Sequence, residues 1–277
     1  MTAPPGVAPR LLIAGSSHRT GSTLLQRYVT ALSSTFVWGE NGGFVESLRR
    51  AAESWPQTKR NSREYAEVMN DPSVTERKYT PNLSPPRELA VAAMRDAILQ
   101  VYRSIPPGFD AWGWKAVAYG RGEIEFLREL FPELRVLLVV RNPWDVARSV
   151  RRKGWIDRRG YYQDMAEVAE HWFLRTRDFL AMTGTADPGL ILLRYEDLHT
   201  RLDELDAFFG ISSDTDRREG ILRRRLGAAP AVSRFRLTPE DIDAVTHVAG
   251  AVARELGYAP PGETAPSPVS APSAATR

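Results

Sequence analysis

Apolar residues fall into short runs separated by stretches of helical periodicity. P-R-L-L-I-A, at residues 9–14, predicts a strand, and T-L-L-Q-R-Y-V-T-A-L, at 23–32, the helix that follows it. F-V-W at 36–38 and A-W-G-W-K at 111–115 predict further strands, the second followed by a helix over E-I-E-F-L-R-E-L. R-V-L-L-V-V at 135–140 and L-I-L-L-R at 190–194 are apolar enough for strands buried on both faces. Residues 44–110 read as mostly helical and polar, interrupted at Pro56, Pro72, Pro81, Pro85 and Pro86, and belong outside the sheet. Strands alternating with helices predict an α/β fold of three layers, a central parallel sheet flanked by helices.

Two helices carry start signals. Asn142 before Pro143 is a side-chain cap followed by proline in the first turn. Thr238-Pro239-Glu240-Asp241 opens a last helix that sets Ile242, Val245, Val252 and Leu256 on one face and stops at Gly257. The expected organisation is a flexible N-terminus over 1–9, one domain over 10–259, and a disordered tail over 260–277, which is rich in proline, serine and alanine.

Composition narrows the chemistry. The 277 residues are 43% hydrophobic and 26% charged and contain no cysteine, which rules out disulfides, zinc-thiolate sites and a cysteine nucleophile. No apolar run reaches the roughly 20 residues that span a bilayer, and the start of the chain lacks the pattern of a signal peptide. A cytoplasmic protein is expected. The net charge of +3 is small, but residues 141–160 hold seven basic side chains against two acidic ones. Such a segment either attracts an anion or forms a solvated helix face.

The anion has a second address. G-S-S-H-R-T-G-S-T, at residues 15–23, lies between the first strand and its helix, where backbone N–H groups and the helix dipole favour negative charge. It is phosphate-loop-like. A triphosphate loop has four residues between its glycines and lysine after the second, whereas here five intervene, Ser22 follows Gly21, and the cation stands earlier at Arg19. The strand at 135–140 ends in Arg141, where a nucleoside triphosphatase commonly holds magnesium with an aspartate. That exchange suits a ligand bound without metal, and no His or carboxylate cluster has metal-ligand spacing.

R-T-G-S-T after one strand, R-N-P-W-D-V-A-R-S after another and R-Y-E-D-L after a third, in that order, resemble the sulfotransferases that use 3′-phosphoadenosine 5′-phosphosulfate, PAPS. The resemblance extends from about Leu11 to Tyr258. It implies that Arg19, Thr20, Gly21, Ser22 and Thr23 hold the 5′-phosphosulfate, that Arg141 and Ser149 grip the 3′-phosphate, and that Tyr195 lies near the nucleotide. Many relatives use a histidine base that has no counterpart here. A glutamate-base branch, which includes bacterial, carbohydrate and protein-tyrosine enzymes, is more similar and implies Glu40 as the base, with Lys115 and Arg19 reaching the transferring sulfate. For Glu40 the alternative is an exposed loop residue; for Lys115, a surface lysine at a strand end.

The implied reaction moves a sulfuryl group to a hydroxyl of a small-molecule or carbohydrate acceptor, an amine being the lesser choice, and releases adenosine 3′,5′-bisphosphate. His18, inside the loop, could assist, whereas His171, His199 and His247 read as solvated. Trp38, Trp112 and Trp114 suit either an acceptor pocket or the core, and acceptor contacts are expected from residues 44–110 and the loop around Trp155 to Tyr162. Two other classes compete: a P-loop nucleotide kinase or triphosphatase, which lacks its lysine here, and a nucleic-acid-binding protein using the basic helix at 144–153, which leaves the loop unexplained.

Overall fold

The computed structural model describes residues 8–56, 59–78, 83–156, 160–184, 187–212, 215–223 and 235–264. Five parallel strands, β1 (Leu11–Gly15), β2 (Thr35–Trp38), β3 (Ala111–Ala116), β4 (Arg135–Val140) and β5 (Leu190–Arg194), form one sheet in the order β2-β3-β1-β4-β5. The chain goes to one side of β1 for β2 and β3 and to the other for β4 and β5. The carboxyl end of β1 therefore opens at a topological switch point, where such sheets bind ligands.

The sheet is apolar on both faces because its strands alternate between two cores. Leu12, Ala14, Trp112, Trp114, Val136 and Leu138 point to one side, where α6 (Arg121–Leu130), α7 (Pro143–Lys153), α8 (Met165–Thr183) and α11 (Pro239–Glu255) cover them. Leu11, Ile13, Val37, Leu137, Val139 and Leu193 point to the other, against α1 (Ser22–Leu32) and α9 (Leu202–Phe209). The three layers predicted from strand–helix alternation are present. The 44–110 segment contributes α2 (Phe44–Ser54), α3 (Lys59–Asn70), α4 (Val74–Arg77) and α5 (Arg87–Val101), as its polar periodicity predicts, and α10 (Thr215–Arg223) completes the described α-helices.

Both predicted caps form. Asn142 accepts from the N–H groups of Trp144 and Asp145, and Thr238 accepts from Asp241 N while the Asp241 carboxylate turns back to Thr238 N. Asp241, almost fully buried, also receives Arg151 at 2.7 Å, which joins α7 to α11. Part of the basic segment is thus structural: Arg151 serves this joint and Arg148 pairs with Asp145. Arg158 and Arg159, residues 1–7 of the expected flexible start and 265–277 of the expected tail lie outside the described residues. Pro260 is buried, so packing continues into the first residue expected of the tail. Among the described residues no helix is long and apolar enough to cross a membrane.

Candidate active site

β1 delivers the anion loop. Ser16 N continues the strand ladder to Val139 O at 2.9 Å, after which Thr20 Oγ1 donates to Ser17 O and Ser17 Oγ to His18 O, folding the loop on itself. Arg19 is the only non-glycine among the described residues with positive φ, at 68°, a conformation that L residues avoid. Gly21 follows at φ 96°, and a β-carbon there would stand 2.2 Å from the ring of Tyr195. Glycine is required at this position twice over, by backbone hand and by the close approach of the tyrosine. Gly21 supplies no side-chain cap to α1, and the first turn has no acidic residue, so the positive helix end at Ser22 and Thr23 faces the loop uncompensated.

Arg19 ties this loop to α7. Its Nε donates to Ser149 Oγ at 2.9 Å, while its carbonyl accepts from Arg141 Nη1 at 3.0 Å. The Arg141 guanidinium lies over Tyr195, 4.8 Å from the ring centre, and its carbonyl accepts from Trp172 Nε1. Arg19, Arg141, Arg148, Ser149 and Arg152 surround a cleft of about 100 Å³, with Asp145 the only carboxylate in its lining among the described residues. Burial first, then the charges of Arg152 and Arg141, depress the proton affinity of Arg19. Cations held this close to one another repel, and an anion in the cleft relieves that repulsion. Ser16 Oγ, just after β1, and Arg141 Nε, in the cleft wall, are buried without hydrogen-bond partners.

On the β2–β3 side, Lys115 Nζ donates to Glu40 Oε1. Lys115 is buried at 7% exposure, near the end of β3, an interior strand between β2 and β1; the reading of it as a surface lysine is thereby corrected. Glu40 follows edge strand β2 and is exposed, with a carboxylate accessible to a substrate. His18 joins this pair: burial holds its imidazole below the usual histidine range, with Glu40 opposing and Lys115, His171 and Arg19 adding to the shift. Its Nδ1 is 2.6 Å from the Tyr162 hydroxyl, and its ring stands edge-on to Trp155.

The fold brings Arg19, Arg141 and Ser149 to one cleft, packs Tyr195 between Gly21 and Arg141, and pairs Glu40 with Lys115. Thr23 is exposed on the first turn of α1. Trp112 and Trp114 are fully buried and stack with Tyr102, so they belong to the core and not to an acceptor pocket; Trp38 is partly buried beside the same Tyr102. His171, His199 and His247 are exposed, as expected. Sequence reasoning left Arg148 and Arg152 inside an undivided basic cluster and missed Phe235, which also lines the cleft, because no motif marks it. It also missed Glu196, which accepts from Asn142 N and from the Tyr258 hydroxyl and so pins the turn bearing Arg141 to β5. The Glu-Asp of R-Y-E-D-L was the available signal. Among the described residues no three His, Asp or Glu side chains cluster to hold a metal ion. A hollow of about 420 Å³ between Arg10, Thr35, Arg135 and Phe208 lies at the amino ends of β1, β2 and β4, the opposite end of the strands from the anion loop.

The sequence profile of the sulfotransferase family matches residues 9–204, and the chain belongs to that family. Among solved structures it is similar to the sulfotransferase domain from the curacin biosynthetic pathway, at 16% identity and a TM-score of 0.53, covering 92% of this chain and 100% of that one. It is also similar to a sulfotransferase from Alicyclobacillus acidocaldarius, at 15% identity and a TM-score of 0.49, covering 88% and 92%. Among curated proteins none matches.

Proposed function

We propose that the chain transfers the sulfuryl group of PAPS to a hydroxyl of a small-molecule or carbohydrate acceptor, an amine being the lesser choice, and releases adenosine 3′,5′-bisphosphate. The observation that carries this reading is the pairing of Glu40 with Lys115, 75 residues apart in sequence, in a fold that also holds an arginine-lined cleft.

In this reading the loop residues Arg19, Thr20, Gly21, Ser22 and Thr23, with the first N–H groups of α1, bind the 5′-phosphosulfate, and Arg141 with Ser149 binds the 3′-phosphate. Tyr195 packs between the loop and Arg141, which suits a place against the nucleoside. The free Oε2 of Glu40 takes the acceptor proton while Oε1 stays with Lys115. Lys115 and Arg19 stabilise the negative charge that develops on the bridging oxygen as it leaves. Cations of the chain serve where a triphosphatase uses magnesium, and the reaction is assigned to the cytoplasm.

Thermal shift tests the reading. Adenosine 3′,5′-bisphosphate at a hundredfold excess over its dissociation constant adds about 2.7 kcal/mol to the stability of the native state. ATP with magnesium and duplex DNA are expected to do much less. Equal shifts with ATP return the site to a kinase or triphosphatase, and a shift with DNA alone makes the basic helix a nucleic-acid surface.

A further inference from the structure

Glu40 stands in residues 39–43, between the end of β2 and the start of α2, where three of five residues are glycine. Gly42 and Gly43 have left-handed backbones, at φ 61° and 85°. A β-carbon on Gly39, Gly42 or Gly43 would meet no atom within 4 Å, so packing at the glycines does not fix the segment. Its two ends are fixed. β2 pairs with β3 as far as Trp38, opposite Trp114, and α2 is tied to α6 by Arg49, whose Nε donates to Glu123 Oε1 at 2.8 Å. Between these ends the segment has two side chains, Glu40 and Asn41.

Both side chains reach β3 or the turn after it. Glu40 accepts from Lys115 Nζ, and Asn41 Nδ2 donates to the hydroxyl of Tyr119, which precedes α6. Lys115 and Tyr119 are buried, so consecutive residues of a glycine loop are fastened to two points of the core. The two fastenings differ in kind. Glu40 is largely exposed, and water competes with Lys115 for its carboxylate, so this ion pair holds a loop weakly. The Asn41 amide instead meets buried, neutral partners: burial raises the phenols of Tyr119 and Tyr102 above the ordinary tyrosine range, and a hydrogen bond from Asn41 opposes the rise in each. The two N–H donors of one amide match two phenol oxygens. Tyr102 stacks on Trp112 and Trp114, which seats this amide on the aromatic core beside β3.

Resting on the sulfuryl-transfer reading above, we propose that Asn41 is a positioning residue for the base: fastened to the Tyr119 hydroxyl, it sets the backbone of residues 39–43 so that Glu40 meets Lys115 with one oxygen and keeps the other for the acceptor. Tyr119 acts through Asn41. A general base works only within hydrogen-bond reach of the proton it takes, and a displacement of about 1 Å can cost about 10²-fold in rate. Without the Asn41 link the glycines let the carboxylate swing away from Lys115 into water. Neither Asn41 nor Tyr119 exchanges a proton with the acceptor in this assignment.

The test needs no acceptor. A water-soluble carbodiimide joins a carboxylate to an amine in contact with it, and peptide mass spectrometry of the full chain reads the yield of the Glu40–Lys115 bond. Glu40→Gln is the blank, and the Lys78–Glu67 pair, at 2.6 Å on α3 and the turn after α4, is the internal reference. Loss of one hydrogen bond shifts the loop equilibrium by about two- to tenfold. Asn41→Ala and Tyr119→Phe are each expected to lower the Glu40–Lys115 yield by about half or more against the reference. The double variant falls no further than the lower single one, because the two residues act as one unit. The Kd of adenosine 3′,5′-bisphosphate stays within about twofold, which also shows that the variants fold. An unchanged yield in either single variant, losses that add in the double variant, or no Glu40–Lys115 bond in the wild type overturns the inference alone. A fall in both bonds together, or weakened bisphosphate binding in both single variants, assigns the pair to the fold and overturns it too. A wild type that forms the Glu40–Lys115 bond but does not bind the bisphosphate removes the sulfuryl-transfer reading, and the role of base with it.

Discussion

Arg19 Nε donates to Ser149 Oγ over 2.9 Å, across 130 residues of sequence, and so locks the anion loop after β1 to the middle of α7. The arginine does this from a left-handed backbone conformation that costs a non-glycine residue about 1–2 kcal/mol. Its partners repay that strain only in the folded chain, where Ser149 and the Arg141 guanidinium both reach it.

Arg141→Ala is expected to weaken adenosine 3′,5′-bisphosphate much more than adenosine 5′-phosphosulfate. Only the former carries the 3′-phosphate assigned to Arg141, and a charge-assisted contact of this kind contributes on the order of 1.5–3 kcal/mol. Calorimetric titration of both ligands checks it. Equal losses would assign Arg141 to holding the Arg19 carbonyl and no more.

Glu40→Gln keeps size and most hydrogen bonding but cannot accept a proton. Turnover is expected to fall by roughly 10²–10⁴-fold with bisphosphate affinity nearly unchanged. His18→Gln serves as comparison in the same assay. Near-normal turnover in Glu40→Gln, together with its abolition in His18→Gln at intact bisphosphate affinity, would move the base into the anion loop.

Gly21→Ala places a β-carbon 2.2 Å from the Tyr195 ring at φ 96°. The residue pays about 1–2 kcal/mol for the left-handed conformation, and Tyr195 must also move off the loop and away from Arg141. A lower Tm and weaker bisphosphate binding are expected together. A variant with wild-type affinity would show that Tyr195 takes no part in the nucleotide site.

His18 links folding to pH. Its folded proton affinity lies below the unfolded value of 6.5, chiefly through burial. Between that value and the lower folded one, the unfolded chain binds a proton that the native chain does not, so stability rises with pH across this window and falls on acidification below 6.5. Urea unfolding of the wild type and His18→Gln between pH 5 and 7 is expected to show a smaller pH slope in the variant. Slopes are compared because the substitution also removes the bond to Tyr162. Parallel slopes would mean that His18 titrates alike in both states.

Much of the fold was legible in the sequence. The all-apolar run Val136–Val140 between polar flanks requires a strand buried on both faces, and the Asn142-Pro143 and Thr238-Pro239 signals require helix starts, because these patterns depend on neighbours within a turn or two. The anion loop was legible for the same reason: it is contiguous, and its glycines and hydroxyls carry their own geometry.

What the sequence alone left open was every choice between two environments for one side chain. Lys115 reads equally as a surface residue or a buried one until β3 is placed between β1 and β2, which buries its stem and brings Glu40 to its ammonium. Trp112 and Trp114 suit a pocket or a core until Tyr102 stacks on them. Phe235 has no local pattern, and the tertiary structure alone brings it to the cleft. Backbone hydrogen bonding and hydrophobic period act over a few residues and leave a record in the sequence. Desolvation and charge pairing act between segments 75 to 144 residues apart, as in Glu40 with Lys115 and His18 with Tyr162, and exist only once the sheet has set which strand ends are adjacent.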